Sequence, residues 1–127
     1  DMASQGLSMT IEAIAPGAAT ISMPVMKNLT NGHKTCHGGY IFTLADSAFA
    51  FACNTYNQNT VAQHCSVTFL APGLEGDILT ATAKEQNRAG RSGIYDVTVK
   101  NQKGEAIALF RGHSRTIKGQ HFEEKAG

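Results

Sequence analysis

Hydrophobic and polar residues alternate along most of the chain, with the period of two that is typical of β-strands. Two such segments, 9–14 and 18–25, flank a Pro16-Gly17 turn and predict an N-terminal hairpin. The next stretch, 27–36, is polar and irregular, and Asn31-Gly32 is its strongest turn signal. The chain therefore begins as β structure and then loses its regular pattern.

The pattern changes to a helical period between residue 38 and about residue 56. Apolar residues recur there at spacings of three and four: Ile41, Leu44, Ala45, Ala48 and Ala52. The other faces carry Phe42, Phe49 and Phe51. A helix that is apolar nearly all round is a buried helix, and its many alanines predict close packing around it.

After the helix, the period of two returns and continues almost to the end of the chain. Strands are predicted at 60–70, 77–85, 94–100 and 105–117, with a polar loop at 86–92. Consecutive strands joined by short turns form an antiparallel sheet, which needs one face buried. We therefore predict an α+β fold in which a curved antiparallel sheet wraps around one long central helix.

Length and composition limit what this fold can do. The 127 residues are expected to form one domain over 1–127, with loose ends at 1–6 and 119–127. The net charge of +1 argues against binding nucleic acid by bulk electrostatics. The longest apolar stretch, 40–53, is shorter than the roughly 20 residues of a membrane span. Three cysteines cannot all pair within the chain, and such an odd count is typical of the reducing cytoplasm, where we expect the protein. From the charge and the short apolar stretch we expect neither a nucleic-acid nor a membrane partner.

One acidic residue, Asp46, interrupts the apolar helix. Burying an ionised carboxylate among alanines and phenylalanines costs free energy unless it is paired or faces a cleft. Asp46 could accept a hydrogen bond from Ser47 or Thr43, point to solvent, or take part in chemistry. The pattern alone does not choose among these interpretations.

The motif His37-Gly38-Gly39 stands where the helix begins. The first turn of a helix has N–H groups without partners inside the helix, and two glycines leave that backbone accessible. Together with the helix macrodipole, these donors can hold an anion or a developing oxyanion. The alternative is a tight turn that needs the conformational freedom of glycine. Taken alone, the glycine pair favours that alternative.

Gly38 and Asp46 cannot act on one carbonyl group from the same chain. They are eight residues apart, which on a helix is about 12 Å along the axis and about 80° around it. If two copies pack their helices antiparallel, Gly38 of one copy can approach Asp46 of the other. The spacing therefore predicts that a site using both residues is built from two subunits.

Basic residues are concentrated in one part of the chain. Between 84 and 118, eight Lys and Arg residues stand against three acidic ones. They include Arg88 and Arg91 in the predicted loop, and Arg111 and Arg115 on one predicted strand. This local excess of positive charge could hold a polyphosphate. A solvated basic face of the sheet is the alternative.

Several histidines and cysteines could be interpreted as a metal site, but their spacing does not favour one. His33, Cys36 and His37, with His64 and Cys65 elsewhere, are residue types that bind metals. They lack the paired CxxC spacing of zinc sites, so no metal is expected. Cys36 is also not expected to act as a nucleophile with His37, because sequence neighbours rarely align as nucleophile and base.

Three motifs together resemble one known family. They are Asn31-Gly32-His33, His37-Gly38-Gly39 and Leu-Ala-Asp-Ser-Ala at 44–48. In order and spacing they are similar to the hotdog-fold acyl-CoA thioesterases, above all to the phenylacetic acid degradation (PaaI) type. The likeness continues through 67–73, 95–97 and 108–112. The resemblance implies a hotdog fold, subunits paired into homodimers and commonly homotetramers, and hydrolysis of an acyl-CoA thioester.

The resemblance also implies a role for each candidate catalytic residue. Asp46 would be the nucleophile or the general base that activates water. The Gly38 N–H of the partner subunit would polarise the thioester carbonyl. Asn31 would orient substrate or water, and His37 would support the Gly38 turn or contact substrate. The residue that helps to hold the water stays open among Thr60, His64 and Ser66.

The substrate implied by the resemblance is an aryl-acetyl-CoA thioester, either phenylacetyl-CoA or a ring-hydroxylated form. CoA is part of the substrate, and no separate cofactor is implied. The residues that would line CoA are Phe69, Arg88, Ala89, Gly90, Arg91, Ser92 and Arg115. The candidates for the acyl pocket are Tyr40, Phe42 and Phe49.

Two other functions are compatible with the same fold. One is a non-catalytic acyl-CoA-binding or sensor module, but binding alone gives no reason for a costly carboxylate at Asp46. The other is a hotdog enoyl-CoA hydratase or dehydratase. Those enzymes pair an acid and a histidine around a differently ordered motif, so thioester hydrolysis is the favoured expectation.

Overall fold

Six strands form one antiparallel sheet that curves around a long helix in the computed structural model, which describes residues 6–122. The strands are β1 (Thr10–Ala15), β2 (Ala18–Pro24), β3 (Thr60–Phe69), β4 (Ile78–Ala89), β5 (Ser92–Lys100) and β6 (Ala106–Thr116). Helix α1 spans Gly38–Cys53 and follows a 3₁₀ turn at Lys27–Leu29. The strands lie in the order β1-β2-β4-β5-β6-β3. This is the predicted α+β arrangement of a hotdog fold.

Helix α1 lies against the inner face of the sheet. The apolar repeat identified in the sequence is buried there, at Ile41, Leu44, Ala45, Ala48 and Ala52. Alternate residues of the strands face it, among them Ile21, Leu79, Ala81, Val97, Val99 and Phe110. Because alanine adds little bulk, the helix axis can lie close to the sheet. Within residues 6–122, no helix is both long and apolar enough to cross a membrane.

The predicted polar loop at 86–92 is wrong. Strand β4 continues to Ala89 and β5 starts at Ser92, which leaves a two-residue turn with Gly90 at φ 58°. The register shifts between Glu85 and Asn87, and this β-bulge interrupts the alternation of faces. Beyond the bulge, both faces of β4 are exposed, so that segment carries no period-two signal.

Helix α1 ends at Cys53, earlier than the expected end near residue 56. The Asn54 side chain donates to the Thr60 carbonyl and accepts from the Thr60 N–H, both at 3.0 Å. These two bonds join the end of the helix to the start of β3. A side chain that satisfies backbone groups in this way replaces a further helical turn.

The end of the described chain lies beside the loop that joins α1 to β3. The Asn57 side chain accepts from the Phe122 N–H and donates to the Phe122 carbonyl, both at 3.0 Å. The Asn59 N–H donates to the Gly119 carbonyl at 3.2 Å. The expected loose end at 119–127 is therefore wrong for residues 119–122, which these hydrogen bonds hold against the loop. Residues 1–5 and 123–127 of the expected ends lie outside the described residues.

Strand β3 forms one edge of the sheet and is mostly exposed. Within the described part of the chain, it pairs with β6 alone. Val61 and Phe69 leave 46% and 51% of their surface exposed. A long edge with free backbone donors and acceptors can pair with a strand of another chain. The outer edge of β3 is therefore a place where a strand of another chain could add to the sheet.

Candidate active site

His37 caps the start of α1. Its backbone is extended, with φ −60° and ψ 134°, and its Nδ1 accepts a hydrogen bond from the Gly39 N–H at 3.1 Å. The His37 N–H donates to the Leu29 carbonyl at 2.8 Å, which ties the helix start to the 3₁₀ turn. Because Nδ1 is the acceptor, the neutral ring carries its proton on Nε2. His37 thus holds the turn that presents Gly38.

The Gly38 N–H is available to a ligand. Among the described residues it has no hydrogen-bond acceptor, as is usual for the first N–H of a helix. Gly38 lines an open groove of about 370 Å³ together with Thr35, Cys36, Ile41, Phe69, Leu70, Ala71 and Pro72. The ring of Phe69 forms one wall, because a Cβ on Gly38 would lie 3.2 Å from Phe69 Cζ. An oxygen that gains negative charge in this groove can be stabilised by the N–H and the helix dipole.

The side chain of Asn31 has a fixed orientation ahead of the helix. Its Oδ1 accepts hydrogen bonds from the His33 N–H at 2.8 Å and from the Thr35 hydroxyl at 3.0 Å. The Nδ2 group has no acceptor among the residues that the structure describes. Asn31 can therefore donate, but not readily accept, a hydrogen bond to a substrate or water oxygen.

Asp46 lies half-buried on α1 and makes no hydrogen bond to any described residue. Neither hydroxyl considered from the sequence is its partner, and the Thr43 hydroxyl donates to the Gly39 carbonyl at 2.8 Å instead. Burial raises the pKa of Asp46 above its usual value. Its charge also helps to raise the pKa of the Cys65 thiol, although burial is the larger cause there. An unpaired and partly desolvated carboxylate is a candidate base or nucleophile.

Helix α1 is unbroken between Gly38 and Asp46. The separation argued from the sequence therefore applies, with about 12 Å along the axis and about 80° around it. The free N–H and the free carboxylate lie on one helix, two turns apart. One chain cannot direct both at the same carbonyl group.

The residues predicted to line CoA fall into two groups. Phe69 pairs with Ala108 near the start of β6, whereas Ser92 pairs with Arg115 near its end. These two positions of β6 are seven residues apart in sequence, which is about 24 Å along a strand. The exposed residues Arg88, Ala89, Gly90 and Arg91 lie at the second end. A single chain therefore does not bring Phe69 together with the arginines.

Tyr56 is a neighbour of these arginines that the sequence did not indicate. The Arg88 guanidinium lies over the ring of Tyr56, with Cζ 3.6 Å from the ring centroid. Tyr56 belongs to the loop after α1, and Arg88 belongs to β4. No local pattern marks a contact between segments so distant in the chain, because only the folded sheet brings them together.

Two of the three acyl-pocket candidates are partly exposed. Tyr40 lies beside His37, with ring centroids 6.0 Å apart. It lines a pocket of about 380 Å³ with Asn28, Thr30, His37, Gly39 and Thr43. Phe42 is half-buried, and its ring lies 5.6 Å from that of Phe110. Tyr40 and Phe42 thus lie on the same helix as Gly38, with surface left for a ligand.

The third candidate, Phe49, is a core residue, and its assignment to the acyl pocket is corrected. It is 1% exposed, and its ring lies 5.7 Å from that of Tyr95 and 5.8 Å from that of Phe110. Gly112 leaves room for it, since a Cβ there would lie 2.7 Å from Phe49 Cε1. A ring enclosed on all sides has no surface for a substrate.

The three candidates for holding water lie on β3. His64 and Ser66 pair with β6 residues on the outer face of the sheet, which points away from α1. They do not face Asp46 of the same chain, and Cys65 is the residue between them that faces inward. Thr60 begins the strand, where its hydroxyl donates to the carbonyl of residue 58 at 3.1 Å.

Within residues 6–122, no group of three or more His, Cys, Asp or Glu side chains could hold a metal ion. The cysteines Cys36, Cys53 and Cys65 are free. Burial raises the pKa of the Cys36 thiol to about 11, so little nucleophilic thiolate forms at neutral pH.

Known proteins are similar to this chain over most of its length. The family model described as "Thioesterase superfamily" matches residues 33–108. The chain is 43% identical over 119 residues to the acyl-coenzyme A thioesterase PaaI of Escherichia coli (strain K12). That alignment covers 94% of this chain and 85% of the relative.

Solved structures are similar over the same extent. The E. coli PaaI protein from the phenylacetic acid degradation operon superposes with a TM-score of 0.93 at 42% identity, covering 94% of this chain and 87% of that one. A mutant of the phenylacetic acid degradation protein PaaI from Thermus thermophilus gives a TM-score of 0.88 at 34% identity. This second match covers 92% of this chain and 100% of the other.

Proposed function

The chain belongs to the thioesterase superfamily and is a thioester hydrolase, and from this we propose that it hydrolyses aryl-acetyl-CoA thioesters to the free acid and CoA. The acyl group is phenylacetyl or a ring-hydroxylated phenylacetyl group. The name of the E. coli relative and its origin in a phenylacetic acid degradation operon support this substrate class. The observation that carries the proposal is the unpaired Gly38 N–H and the unpaired Asp46 carboxylate on one helix.

The proposed chemistry uses these two groups on one carbonyl. The thioester oxygen accepts a hydrogen bond from the Gly38 N–H, which stabilises the negative charge that forms on attack. The carboxylate of Asp46 of the partner subunit either attacks the carbonyl carbon or takes a proton from the water that does. The C–S bond then breaks and CoA leaves as a thiolate, which needs no strong general acid. When water is the attacking group, the free acid forms in this step. When Asp46 is the attacking group, the acyl group remains on its carboxylate as a mixed anhydride, and water then hydrolyses this anhydride to release the acid and restore the carboxylate. The Asn31 Nδ2 donates to the substrate or to the water.

Two subunits supply the site in this proposal. Strand β3 runs from Thr60, beside the end of α1, to Phe69, beside its start. If two β3 edges pair antiparallel about a two-fold axis, the two helices also run antiparallel. The start of one helix then approaches the middle of the other. A homodimer is thus the smallest active unit, and two dimers form a homotetramer.

The same pairing brings together the two groups of residues proposed to line CoA. It moves the arginine end of one sheet toward Phe69 of the other subunit. Arg88, Arg91 and Arg115 are exposed there and can bind phosphates through charge-assisted hydrogen bonds. Phe69 then contacts the part of CoA that is nearest the thioester.

The pocket beside Tyr40 is the proposed location of the aryl ring. Its polar lining, which includes Asn28, Thr30 and Thr43, suits a ring that carries a hydroxyl group. Phe42 does not line this pocket, because it lies on a different side of the helix, where its ring packs against Phe110. We place the protein in the cytoplasm, which its free cysteines support.

Steady-state hydrolysis of a panel of acyl-CoA thioesters, with release of the CoA thiol as readout, tests the proposal. We expect kcat/KM to be highest for phenylacetyl-CoA or its ring-hydroxylated forms, and lower for straight-chain acyl groups. Asp46→Asn should lower kcat by about 10²–10⁴-fold, whereas Ser47→Ala on the same helix should retain activity. A wild-type protein that binds these thioesters without hydrolysing them would instead favour a binding module.

A further inference from the structure

The ring of Tyr56 lies between a carboxylate and a guanidinium at the arginine end of the sheet. The Tyr56 hydroxyl donates to Glu85 Oε1 at 3.0 Å. On the face of the ring, Arg88 Cζ lies 3.6 Å from the centroid. Tyr56 is half-buried and Arg88 is exposed. The tyrosine therefore connects the interior of the protein to a surface arginine.

The surroundings of Tyr56 fix its ring in place. Glu85 also accepts a hydrogen bond from the hydroxyl of the buried Tyr95 at 3.2 Å, and its N–H donates to the Gly17 carbonyl at 2.8 Å. Gly17 approaches so closely that a Cβ there would lie 2.8 Å from Tyr56 Oη. Burial and the hydrogen bond to Glu85 raise the pKa of Tyr56, so its hydroxyl remains a donor at neutral pH.

Stacking on Tyr56 leaves the hydrogen-bond donors of Arg88 largely unused. A guanidinium is planar and carries five N–H donors in its plane, so a contact through its face does not consume them. One of them, at Nη2, lies 3.5 Å from Gln58 Oε1. Among the described residues, no carboxylate pairs with Arg88. Its edge is therefore free to bind a phosphate through two parallel hydrogen bonds.

We propose that Tyr56 is a positioning residue that holds Arg88 in the orientation that binds a phosphate of CoA. This inference rests on the proposed function, which assigns Arg88 to CoA. Tyr56 does not itself touch the substrate. Without the ring, the Arg88 side chain samples more rotamers, and binding a phosphate must restrict them again. Loss of the ring therefore weakens binding of the nucleotide part and leaves the chemistry at Asp46 unchanged.

The experiment compares an aryl-acetyl-CoA with the matching N-acetylcysteamine thioester, which lacks the nucleotide. Tyr56→Leu should raise KM for the CoA thioester by roughly threefold to tenfold, with kcat little changed. KM for the nucleotide-free thioester should not follow this rise. Tyr56→Phe keeps the ring face and loses only the hydroxyl, so it should retain most of the wild-type KM. Circular dichroism and thermal melting establish that each variant is folded.

The variant Arg88→Gln distinguishes a failure of this inference about Tyr56 from a failure of the proposed assignment of Arg88 to CoA. If Arg88→Gln raises KM for the CoA thioester alone and Tyr56→Leu does not, Tyr56 has no positioning role and the placement of CoA stands. If Arg88→Gln leaves KM unchanged, Arg88 does not bind CoA, and both the placement and the inference are overturned. If Tyr56→Leu raises KM equally for the CoA thioester and for the nucleotide-free thioester, Tyr56 has only a structural role. That result also overturns the inference. Should Tyr56→Leu not fold, Tyr56→Met takes its place in the same comparison.

Discussion

The ring of Phe69 lies against Gly38 so closely that a Cβ on Gly38 would be 3.2 Å from Phe69 Cζ. The contact joins the start of α1 to the end of the edge strand β3. Phe69 keeps 51% of its surface exposed, so its ring has room to shift. The first N–H of the helix and an exposed aromatic ring thus form one side of the groove at Gly38.

Replacing Gly38 by proline should abolish most activity without unfolding the protein. Proline is tolerated at the first position of a helix, and His37, at ψ 134°, already has the conformation that precedes proline. Because proline has no N–H, we expect kcat to fall by about 10²–10³-fold, as for loss of an oxyanion donor. Gly38→Ala is the matched control, since it adds a Cβ against Phe69 and keeps the N–H. Equal kcat values for the two variants, with both folded, would contradict the role of the N–H.

Removing the charge of Asp46 should stabilise the protein at neutral pH. Burial raises the pKa of Asp46 in the folded state, so the folded protein binds this proton more tightly than the unfolded chain does. The stability that the folded protein gains from binding this proton is complete at pH values below the pKa of the unfolded chain, about 3.9. It is lost as the pH rises through the higher pKa of Asp46 in the folded state. Asp46→Asn should therefore raise Tm at pH 7 and change it little near pH 3. A lower Tm than wild type at pH 7 would indicate that Asp46 has a stabilising partner.

The fold could be predicted because most of the helix and strands bury one face and leave the other face more exposed. The repeat of Ile41, Leu44 and Ala48 on α1 and the alternation along the strands both follow from packing against a single core. The prediction failed at 86–92, where the β4–β5 hairpin extends beyond the core and both of its faces meet solvent. Hydrophobic patterning carries no information where neither face is buried.

The candidate site was predictable as far as its signals are local. The Gly38 turn and its cap by His37 lie within three consecutive residues, and Asp46 stands out against its own helix. The contact of Tyr56 with Arg88 depends instead on how a loop meets the far end of β4. Phe49 was misassigned because a phenylalanine on a helix that is apolar all round does not show which face is covered.

Gly112→Ala tests the placement of Phe49 in the core. The new Cβ would lie 2.7 Å from Phe49 Cε1, and overpacking of this kind costs about 1–3 kcal/mol of unfolding free energy. Gly32→Ala is the control, because no atom lies within 4 Å of its new Cβ. Urea unfolding should separate the two variants, and adding Phe49→Leu to Gly112→Ala should recover part of the loss. If Gly112→Ala is as stable as Gly32→Ala, Phe49 is mobile enough to return as a candidate for the acyl pocket.

Mixing two inactive variants should restore activity if each site takes Gly38 from one subunit and Asp46 from the other. In a dimer of one Gly38→Pro chain and one Asp46→Ala chain, one site carries both changes and the other carries neither. Random exchange at equal concentrations places half of the chains in such mixed dimers, so we expect about a quarter of wild-type activity. Exchange is verified by native mass spectrometry with one chain isotopically labelled, and each variant mixed with itself serves as the control. If both residues of a site came from one chain, every site in the mixed dimer would carry one change. Verified exchange without recovery of thioester hydrolysis would then show that the site lies within a single subunit.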